Sequence, residues 1–227
     1  LNRYTNPFVF YGKDQKIYEQ PSQVGKVDLD INYDDYLLGE FHYNNGKKNT
    51  GPLDFSTKNF MSISEQHKFM KQVMFPESIT TKQQLDLSDE DYVLLYKEMS
   101  VLPRHSAYPK YPDYDSYYDG YCKFFMYGDT KDTIPDHIKI FNKVGLAYGF
   151  LLDNAYIIDT DNNVEFILTA VVYHNENETM NDDTYEYDNI TIPFLAELGR
   201  NVYNFELARD KNYLPDFSRF INNLKSL

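Results

Sequence analysis

The fold is decided by residues 138–173, whose sequence is IKIFNKVGLAYGFLLDNAYIIDTDNNVEFILTAVVY. Three segments within it are rich in the β-branched and aromatic residues that favour extended backbone, at 138–144, 155–159 and 164–173. The residues between these segments are typical of turns, at 145–149 and at Asp161-Asn162-Asn163. Short connections join neighbouring strands in antiparallel order. The stretch therefore predicts three consecutive antiparallel strands.

The last of these predicted strands, residues 164–173, is apolar almost throughout. A strand with one face in water alternates polar and apolar residues, whereas a continuous apolar run indicates that both faces are covered. We therefore expect this strand to be central in its sheet.

Helices are predicted on both sides of this stretch in the chain. Ser62 and Glu65 have capping-box spacing at the start of a first helix, and Pro76 ends it. Ser88 precedes a second helix, which ends before Pro103, and Pro193 lies in the first turn of a final helix. The expected buried side chains are Phe69, Met70, Val73 and Met74, then Tyr92, Leu95, Tyr96 and Met99, then Phe194, Leu195, Leu198, Val202 and Phe205. The predicted fold class is α+β, an antiparallel sheet packed by helices.

The first 60 residues have the pattern of short extended pieces broken by turns. Residues 8–11 and 27–31 are short β-like runs, and Asn44-Asn45-Gly46 is a strong turn signal. Between the second helix and the sheet, residues 105–129 are crowded with Tyr, Pro and Asp. The repeated prolines predict an ordered loop without helix, pinned by its aromatic rings. Its tyrosines are interpreted as structural packing, with a sugar-stacking or substrate-lining surface as the alternative.

Composition excludes several classes of partner. The chain of 227 residues carries 22 Lys and Arg against 35 Asp and Glu, a net charge of −13, so a basic surface for nucleic acid or anionic lipid is not expected. No stretch approaches the roughly 20 apolar residues that a membrane-spanning helix needs. The 42% of hydrophobic residues and the single cysteine predict a globular core without internal disulfides.

Metal and cofactor motifs are absent from the sequence. The five histidines lack ligand spacing, and there is no phosphate-binding loop or nucleophile elbow. The segment that begins at Asp159 starts like a calcium loop, but Val164 and Ala170 replace its essential Gly and Glu, so we expect a hairpin turn. Asp113, Asp115 and Asp119 are interpreted as a solvated acidic loop rather than a cation site. No cofactor and no metal are expected.

One short motif stands at the end of a predicted strand. Lys143-Val144-Gly145 resembles the Lys-Thr-Gly strand of serine β-lactamases and penicillin-binding proteins. Further stretches resemble the C-terminal half of bacterial serine hydrolases related to class A β-lactamases: 141–145, 147–150, 165–170, 181–183 and 193–200, and upstream 54–56, 75–77 and 123–129.

The resemblance implies a three-layer fold and a set of site residues. Lys143 would face a substrate carboxylate, Gly145 would allow close approach to the backbone, and the N–H of Leu146 would donate to an oxyanion. Val144 replaces the usual threonine of this motif and, with Tyr148, would line the substrate site. The family's general base would correspond to Glu40, the carboxylate nearest to the expected position.

The nucleophile of this family is missing from the sequence. No lysine has Ser or Thr three positions earlier, so there is no Ser-x-x-Lys motif. Ser-x-Asn is also absent, and Tyr4-Thr5-Asn6 and Tyr43-Asn44-Asn45 match only a looser Tyr-x-Asn version.

Our interpretation is therefore a single β-lactamase-like domain over residues 1–227 that lacks its N-terminal nucleophile-bearing segment and is inactive alone. Its partners would be that segment and a small-molecule or cell-wall-derived substrate, and the resemblance implies a periplasmic or other extracytoplasmic location in a bacterium. The alternative is a non-catalytic binding or interaction module on the same scaffold, with the acidic, tyrosine-rich loop 108–127 as its working surface.

Overall fold

The computed structural model describes residues 4–25 and 32–225. Contacts divide the chain into two compact units, one made of residues 1–62 and 175–184 and the other of residues 63–174 and 185–227. We call them unit 1 and unit 2. The predicted β-like run at 27–31 lies outside the described residues.

The described strands and helices follow in chain order. The strands are Tyr4–Thr5 (β1), Phe8–Tyr11 (β2), Lys16–Gln20 (β3), Gln23–Val24 (β4), Leu37–Leu38 (β5), Phe41–Asn44 (β6), Lys47–Thr50 (β7), Leu53–Asp54 (β8), Ile138–Ala147 (β9), Phe150–Asp159 (β10), Val164–Tyr173 (β11) and Thr179–Met180 (β12). The helices are Ile63–Met74 (α1), Asp89–Ser100 (α2), the single irregular turn Phe124–Tyr127 (α3), Ile192–Ala208 (α4) and Ser218–Lys225 (α5). Shorter helical turns are Tyr33–Tyr36, Pro76–Ser78, Thr81–Gln83, Pro103–His105, Asp119–Cys122 and Tyr187–Thr191.

Unit 1 is built from short strands joined by turns, as the sequence predicts. Strands β6 and β7 form an antiparallel hairpin, and β12 pairs with β6 in parallel. Asn45 and Gly46 form the hairpin turn with φ of 50° and 74°, the left-handed conformation that Asn and Gly tolerate best. The turn signal at 44–46 is therefore confirmed.

Unit 2 is organised around a sheet of three antiparallel strands in the order β11, β10, β9. The three predicted strands are confirmed, but the first two are longer than predicted. Gly145 lies within β9, and the connection is the two-residue turn Tyr148-Gly149, with φ of 56° and 84°. A glycine can lie within a strand as well as end one, so the prediction that the turn begins at Gly145 was wrong.

The second connection confirms the predicted hairpin. Asp159 is fully buried, and its carboxylate accepts hydrogen bonds from the backbone N–H of Asp161 at 2.9 Å and of Asn162 at 3.1 Å. Asn163 has φ of 53° before β11 begins. Asp159 thus closes a turn by binding backbone N–H groups, as turn-forming Asp residues do.

Strand β11 corrects one prediction. Both of its faces are covered, since α1 and α4 each pack against it. It is nevertheless an edge strand in the described part of the chain, because β10 is its one partner there. Its apolar sequence reports burial of its faces and carries no information about its edges, so the inference of a central strand was wrong for these residues.

Helices cover the two faces of this sheet with separate cores. On one face, α1, α2 and α5 surround a cluster that includes Met74, Tyr96, Phe141, Tyr156 and Phe220. On the other face, α3 and α4 contribute to a second cluster. Its fully buried members are Phe125, Leu151, Ala155, Ile157 and Leu195. Unit 2 is thus an α+β arrangement with an antiparallel sheet between layers of helices.

The helix starts were predicted better than the buried faces. Ser88 is the N-cap of α2 as predicted, and it also forms a capping box with Asp91. Phe69, however, is 47% exposed. In α4, Phe194 and Phe205 are 54% and 66% exposed, while Leu195, Ala196 and Gly199 are buried. The buried face of α4 is rotated because Gly199 contacts α3 closely, and small residues permit such an approach.

The tyrosine-rich segment also differs in part from prediction. Helical turns occur at Asp119–Cys122 and Phe124–Tyr127, after the last proline of this segment. A proline disfavours helix only at and next to its own position. The prediction that the segment contains no helix up to residue 129 was therefore wrong.

The contact at Gly199 gives a prediction about stability. A Cβ at Gly199 would lie 2.6 Å from the backbone nitrogen of Met126 and 2.8 Å from Cβ of Phe125. We expect Gly199→Ala to lower the free energy of unfolding by about 1–3 kcal/mol, because the cost of overpacking is larger than the stability gained from the higher helix propensity of alanine. At Gly145 an added Cβ meets nothing within 4 Å, so Gly145→Ala is the matched control in urea unfolding. Equal stability of the Gly199→Ala and parent proteins would contradict this packing.

Candidate functional site

The motif that the sequence singled out lies in the second half of β9. Lys143 is exposed, and its ammonium donates a hydrogen bond to the carbonyl of Val144 at 2.6 Å. No carboxylate among the described residues lies within ion-pair distance of it. The space above Gly145 is open, and the side chain of Leu146 is 56% exposed. The outer edge of β9 has no strand partner in the part of the chain that the structure describes, so the motif is accessible.

The other predicted site residues are placed as follows. Val144 is half-buried and packs against the core that α3 and α4 cover. Tyr148 is half-buried in the β9–β10 turn, whose Gly149 N–H donates to the Tyr187 hydroxyl at 2.8 Å. Glu40 is exposed and belongs to unit 1, where its N–H donates to the carbonyl of Glu178 at 2.9 Å. The structure therefore groups Lys143, Val144, Gly145, Leu146 and Tyr148 in unit 2, and the role of Glu40 remains a prediction.

A buried polar network that the sequence did not predict lies behind β9. The ammonium of Lys123 donates to the carbonyl of Met99 at 2.6 Å and to Oδ1 of Asn142 at 2.7 Å. The amide of Asn142 donates to Oδ1 of Asp153 at 2.9 Å and to the carbonyl of Cys122 at 2.7 Å. The network thus joins α2, the tyrosine-rich segment, β9 and β10. Its members are Lys123, Asn142 and Asp153, and we call it the Lys123 network.

Burial changes the proton affinity of both charged groups in the Lys123 network. It lowers the pKa of Lys123 to about 8, although the nearby carboxylate of Asp153 opposes this change. Burial also raises the pKa of Asp153 to about 6. The hydrogen bonds that its carboxylate accepts from Asn142 and from the N–H of Phe125, and the positive charge of Lys123, act in the opposite direction. The sequence signal for this network was a charged residue within otherwise apolar runs, which indicates a buried partner but does not identify it.

A second polar chain lies on the face of the sheet that α1 covers. Nδ1 of His67 lies 3.0 Å from the hydroxyl of Thr169, which donates to Oδ1 of Asn154 at 2.8 Å. The amide of Asn154 donates to the carbonyl of Gln66 at 2.9 Å. Asn154 is the register partner of Lys143, so this chain fixes α1 on the sheet beside the motif.

A groove of about 300 Å³ lies at the outer edge of β9. One wall is formed by the end of α2 and the residues after it, with Met99, Val101 and Leu102. The tyrosine-rich loop contributes a second wall with Tyr108, Tyr111 and Tyr121, and the remaining lining residues include Cys122, Lys123, Asn142, Lys143 and Val144. The groove thus brings the predicted motif, the Lys123 network and the tyrosine-rich loop together within unit 2.

The tyrosine-rich loop is held in place by its own rings and turns, as predicted. The rings of Tyr111 and Tyr117 lie 4.7 Å apart between centroids, and those of Tyr117 and Tyr121 lie 5.1 Å apart. The hydroxyl of Tyr118 donates to the carbonyl of Gly128 at 2.9 Å. Tyr117 therefore links Tyr111 and Tyr121, two of the three tyrosines that line the groove.

The interpretation of its acidic residues as solvated is wrong for one of them, Asp119. Asp119 is fully buried and pairs with Nε of Arg104 at 2.9 Å, while Asp113 accepts from the hydroxyl of Ser116 at 2.5 Å. Among the described residues, no group of three or more His, Cys, Asp or Glu could hold a metal ion. The helices described here are all too short or too polar to cross a bilayer.

Comparison of the chain with protein-family models, with curated proteins and with solved structures gives no match.

Protonation of Asp153 gives a prediction about pH. The pKa of Asp153 is about 6 in the folded protein against 3.8 for an ordinary Asp. The contribution of the protonated carboxyl to stability is therefore complete below pH 3.8 and is lost as the pH rises through about 6. At 1.36 kcal/mol per pKa unit, we expect the parent protein to gain about 2–3 kcal/mol over Asp153→Asn between pH 7 and pH 4. Urea unfolding of both proteins across this range measures the difference. Parallel pH profiles would contradict the buried position of this carboxyl.

Proposed function

We propose that this chain is the C-terminal part of a β-lactamase-like serine hydrolase, to which it supplies the Lys-x-Gly strand. The substrate would be an acyl or amide compound, such as a β-lactam or a peptidoglycan-like molecule. The observation that carries the proposal is the position of Lys143. It is an exposed cation without an acidic partner in the described chain, next to the open space above Gly145. Both residues lie on the accessible edge strand of a sheet between layers of helices.

The chemistry follows from these groups. Lys143 would bind a substrate carboxylate, since an ammonium group is a compact cation with three donors. Gly145 would let the scissile group approach the backbone, and the N–H of Leu146 would stabilise negative charge on the carbonyl oxygen during attack. Val144 and Tyr148 would line the site. By the resemblance stated above, Glu40 is the carboxylate proposed as general base.

The nucleophile would come from a segment outside these 227 residues, because the sequence contains no Ser-x-x-Lys. Strand β11 offers support for an additional segment. Its outer edge is unpaired in the described part of the chain, and an apolar strand with an open edge tends to pair with a further strand. In the family that the chain resembles, N-terminal strands pair there. By the same resemblance we propose an extracytoplasmic location.

The alternative proposal is a non-catalytic binding module. It is favoured by the missing nucleophile motif and by the exposure of Tyr108, whose side chain is 94% exposed next to the groove. The gene sequence upstream of the Leu1 codon distinguishes the two proposals. A Ser-x-x-Lys followed some tens of residues later by Ser-x-Asn favours the hydrolase, and a start codon at or near Leu1 favours the module.

Carboxylate binding at Lys143 is testable with the 227-residue chain. We expect N-acetylglycine to shift the amide resonances of Gly145 and Leu146 in a nuclear magnetic resonance titration. Lys143→Ala should weaken this binding about two- to fivefold, because an ion pair to an exposed ammonium contributes on the order of 0.5–1 kcal/mol. Lys139→Ala, on the same strand, is the matched control and should bind as the parent does. Equal binding by the Lys143→Ala and parent proteins would remove Lys143 from the site.

Catalysis by the 227-residue chain alone is not expected. Incubated with a chromogenic β-lactam, it should show no hydrolysis above the buffer rate, since it has no Ser-x-x-Lys serine to acylate. Burst acylation by a labelled penicillin, detected by intact-protein mass, would overturn the proposed division of the site between segments.

A further inference from the structure

The groove beside Lys143 combines a cation with apolar and aromatic side chains. Lys143 belongs to its lining as an exposed cation, and the other lining residues are apolar and aromatic side chains together with the polar side chains of Glu98, Ser106, Asp119, Lys123 and Asn142. Met99, Val101 and Leu102 form one wall, and Tyr111 and Tyr121 belong to the other. Binding pockets for small molecules are commonly apolar with a few polar groups that fix the orientation of the ligand. This groove has that composition.

We propose that the groove is a subsite for an aryl group, and that the ligand of this chain is a small carboxylate that carries an aromatic ring. The carboxylate binds the ammonium of Lys143, and the ring lies between the tyrosine wall and the apolar wall. The proposal rests on the proposed function for the carboxylate end, and it adds the nature of the group attached to it.

The charges around the groove leave Lys143 as the cation for the ligand. Lys123 donates to the carbonyl of Met99 and to Asn142, so its ammonium is already engaged. The acid Asp119 is paired with Arg104. Glu98 is exposed at the rim and favours a ligand whose single negative charge lies at the Lys143 end. A ligand with a second anionic group would meet Glu98 without a compensating cation.

The tyrosine wall is arranged in advance of binding. Tyr117 contacts the rings of both Tyr111 and Tyr121, at centroid distances of 4.7 and 5.1 Å. Ordering these side chains therefore costs less on binding than ordering free ones would. Tyr121 keeps 45% of its surface exposed, so its ring remains available for contact.

An aryl group fits this groove better than a sugar. A volume of about 300 Å³ is at the lower end of the range for small-molecule pockets and accommodates one ring. A sugar ring would need polar partners for its hydroxyls on several sides, whereas the side chains of Met99, Val101, Leu102 and Val144 provide none. The polar side chains of Ser106, Lys123 and Asn142 in the lining are already engaged in hydrogen bonds within the protein. Aromatic rings instead gain from edge-to-face or offset contact with tyrosine.

The test compares two probes that differ by one phenyl ring, N-acetylglycine and N-phenylacetylglycine, titrated into the 227-residue chain. We expect the phenyl probe to bind about tenfold more tightly. In Tyr121→Ala this advantage should fall to about twofold or less, while both probes still bind through Lys143. Tyr213→Ala is the matched control, because Tyr213 is 90% exposed and does not line the groove. Circular dichroism checks that each variant is folded, and Tyr121→Leu replaces Tyr121→Ala if the latter is not.

Each outcome bears on a different part of the proposal. Equal affinity of the parent protein for both probes would overturn the aryl subsite and leave the carboxylate site in place. Absence of binding by either probe would overturn the carboxylate role of Lys143 and with it this inference. Tighter binding of an N-acetylglucosamine trimer than of the phenyl probe, lost in Tyr121→Ala, would replace the aryl assignment with a sugar platform.

Discussion

The buried ammonium of Lys123 holds together the parts of unit 2 that surround the candidate site. It joins the end of α2 through the carbonyl of Met99 to β9 through Asn142, and Asn142 in turn binds Asp153 on β10. A charge removed from water costs several kcal/mol unless its donors are satisfied, so these groups are constrained to one arrangement. The wall of the groove and the strand that carries Lys143 are both fixed by this constraint.

This constraint also explains why Lys123 and Lys143 have different roles. Asn142 and Lys143 are consecutive in β9, so their side chains point to opposite faces of the sheet. Asn142 and Lys123 are buried, whereas Lys143 is exposed. A buried lysine whose donors are engaged strengthens the scaffold, and an exposed one without a carboxylate partner in the described chain is available to a ligand. Both lysines line the same groove, and it is the difference in their surroundings that makes one a structural residue and leaves the other available to a ligand.

The sequence was sufficient for local structure and insufficient for long-range pairing. The strands of 138–173, the Asn45-Gly46 turn and the Ser88 cap follow from neighbouring residues, and all are present. The edge position of β11 and the rotated face of α4 depend on distant contacts, so they could not be predicted from periodicity. The same holds for the site. Lys143 could be proposed as a site residue because its motif is contiguous, whereas Lys123 and Asp153 lie 30 positions apart in the chain and share Asn142 as a partner only after folding.

The net charge of −13 places a further condition on any anionic ligand. Beyond the Debye length of about 8–10 Å, the repulsion between the acidic protein and an anionic ligand is largely screened. At shorter distances, the excess of carboxylates disfavours the approach of the anion. One exposed lysine offsets this only at contact distance, where an ion pair forms. A ligand held by its carboxylate alone would gain little, because exposed ion pairs are weak. Apolar surface next to the cation supplies a contribution that does not depend on net charge. For this acidic protein, a groove that combines Lys143 with an apolar and aromatic wall is therefore better suited to a carboxylate ligand than a cationic pocket alone would be.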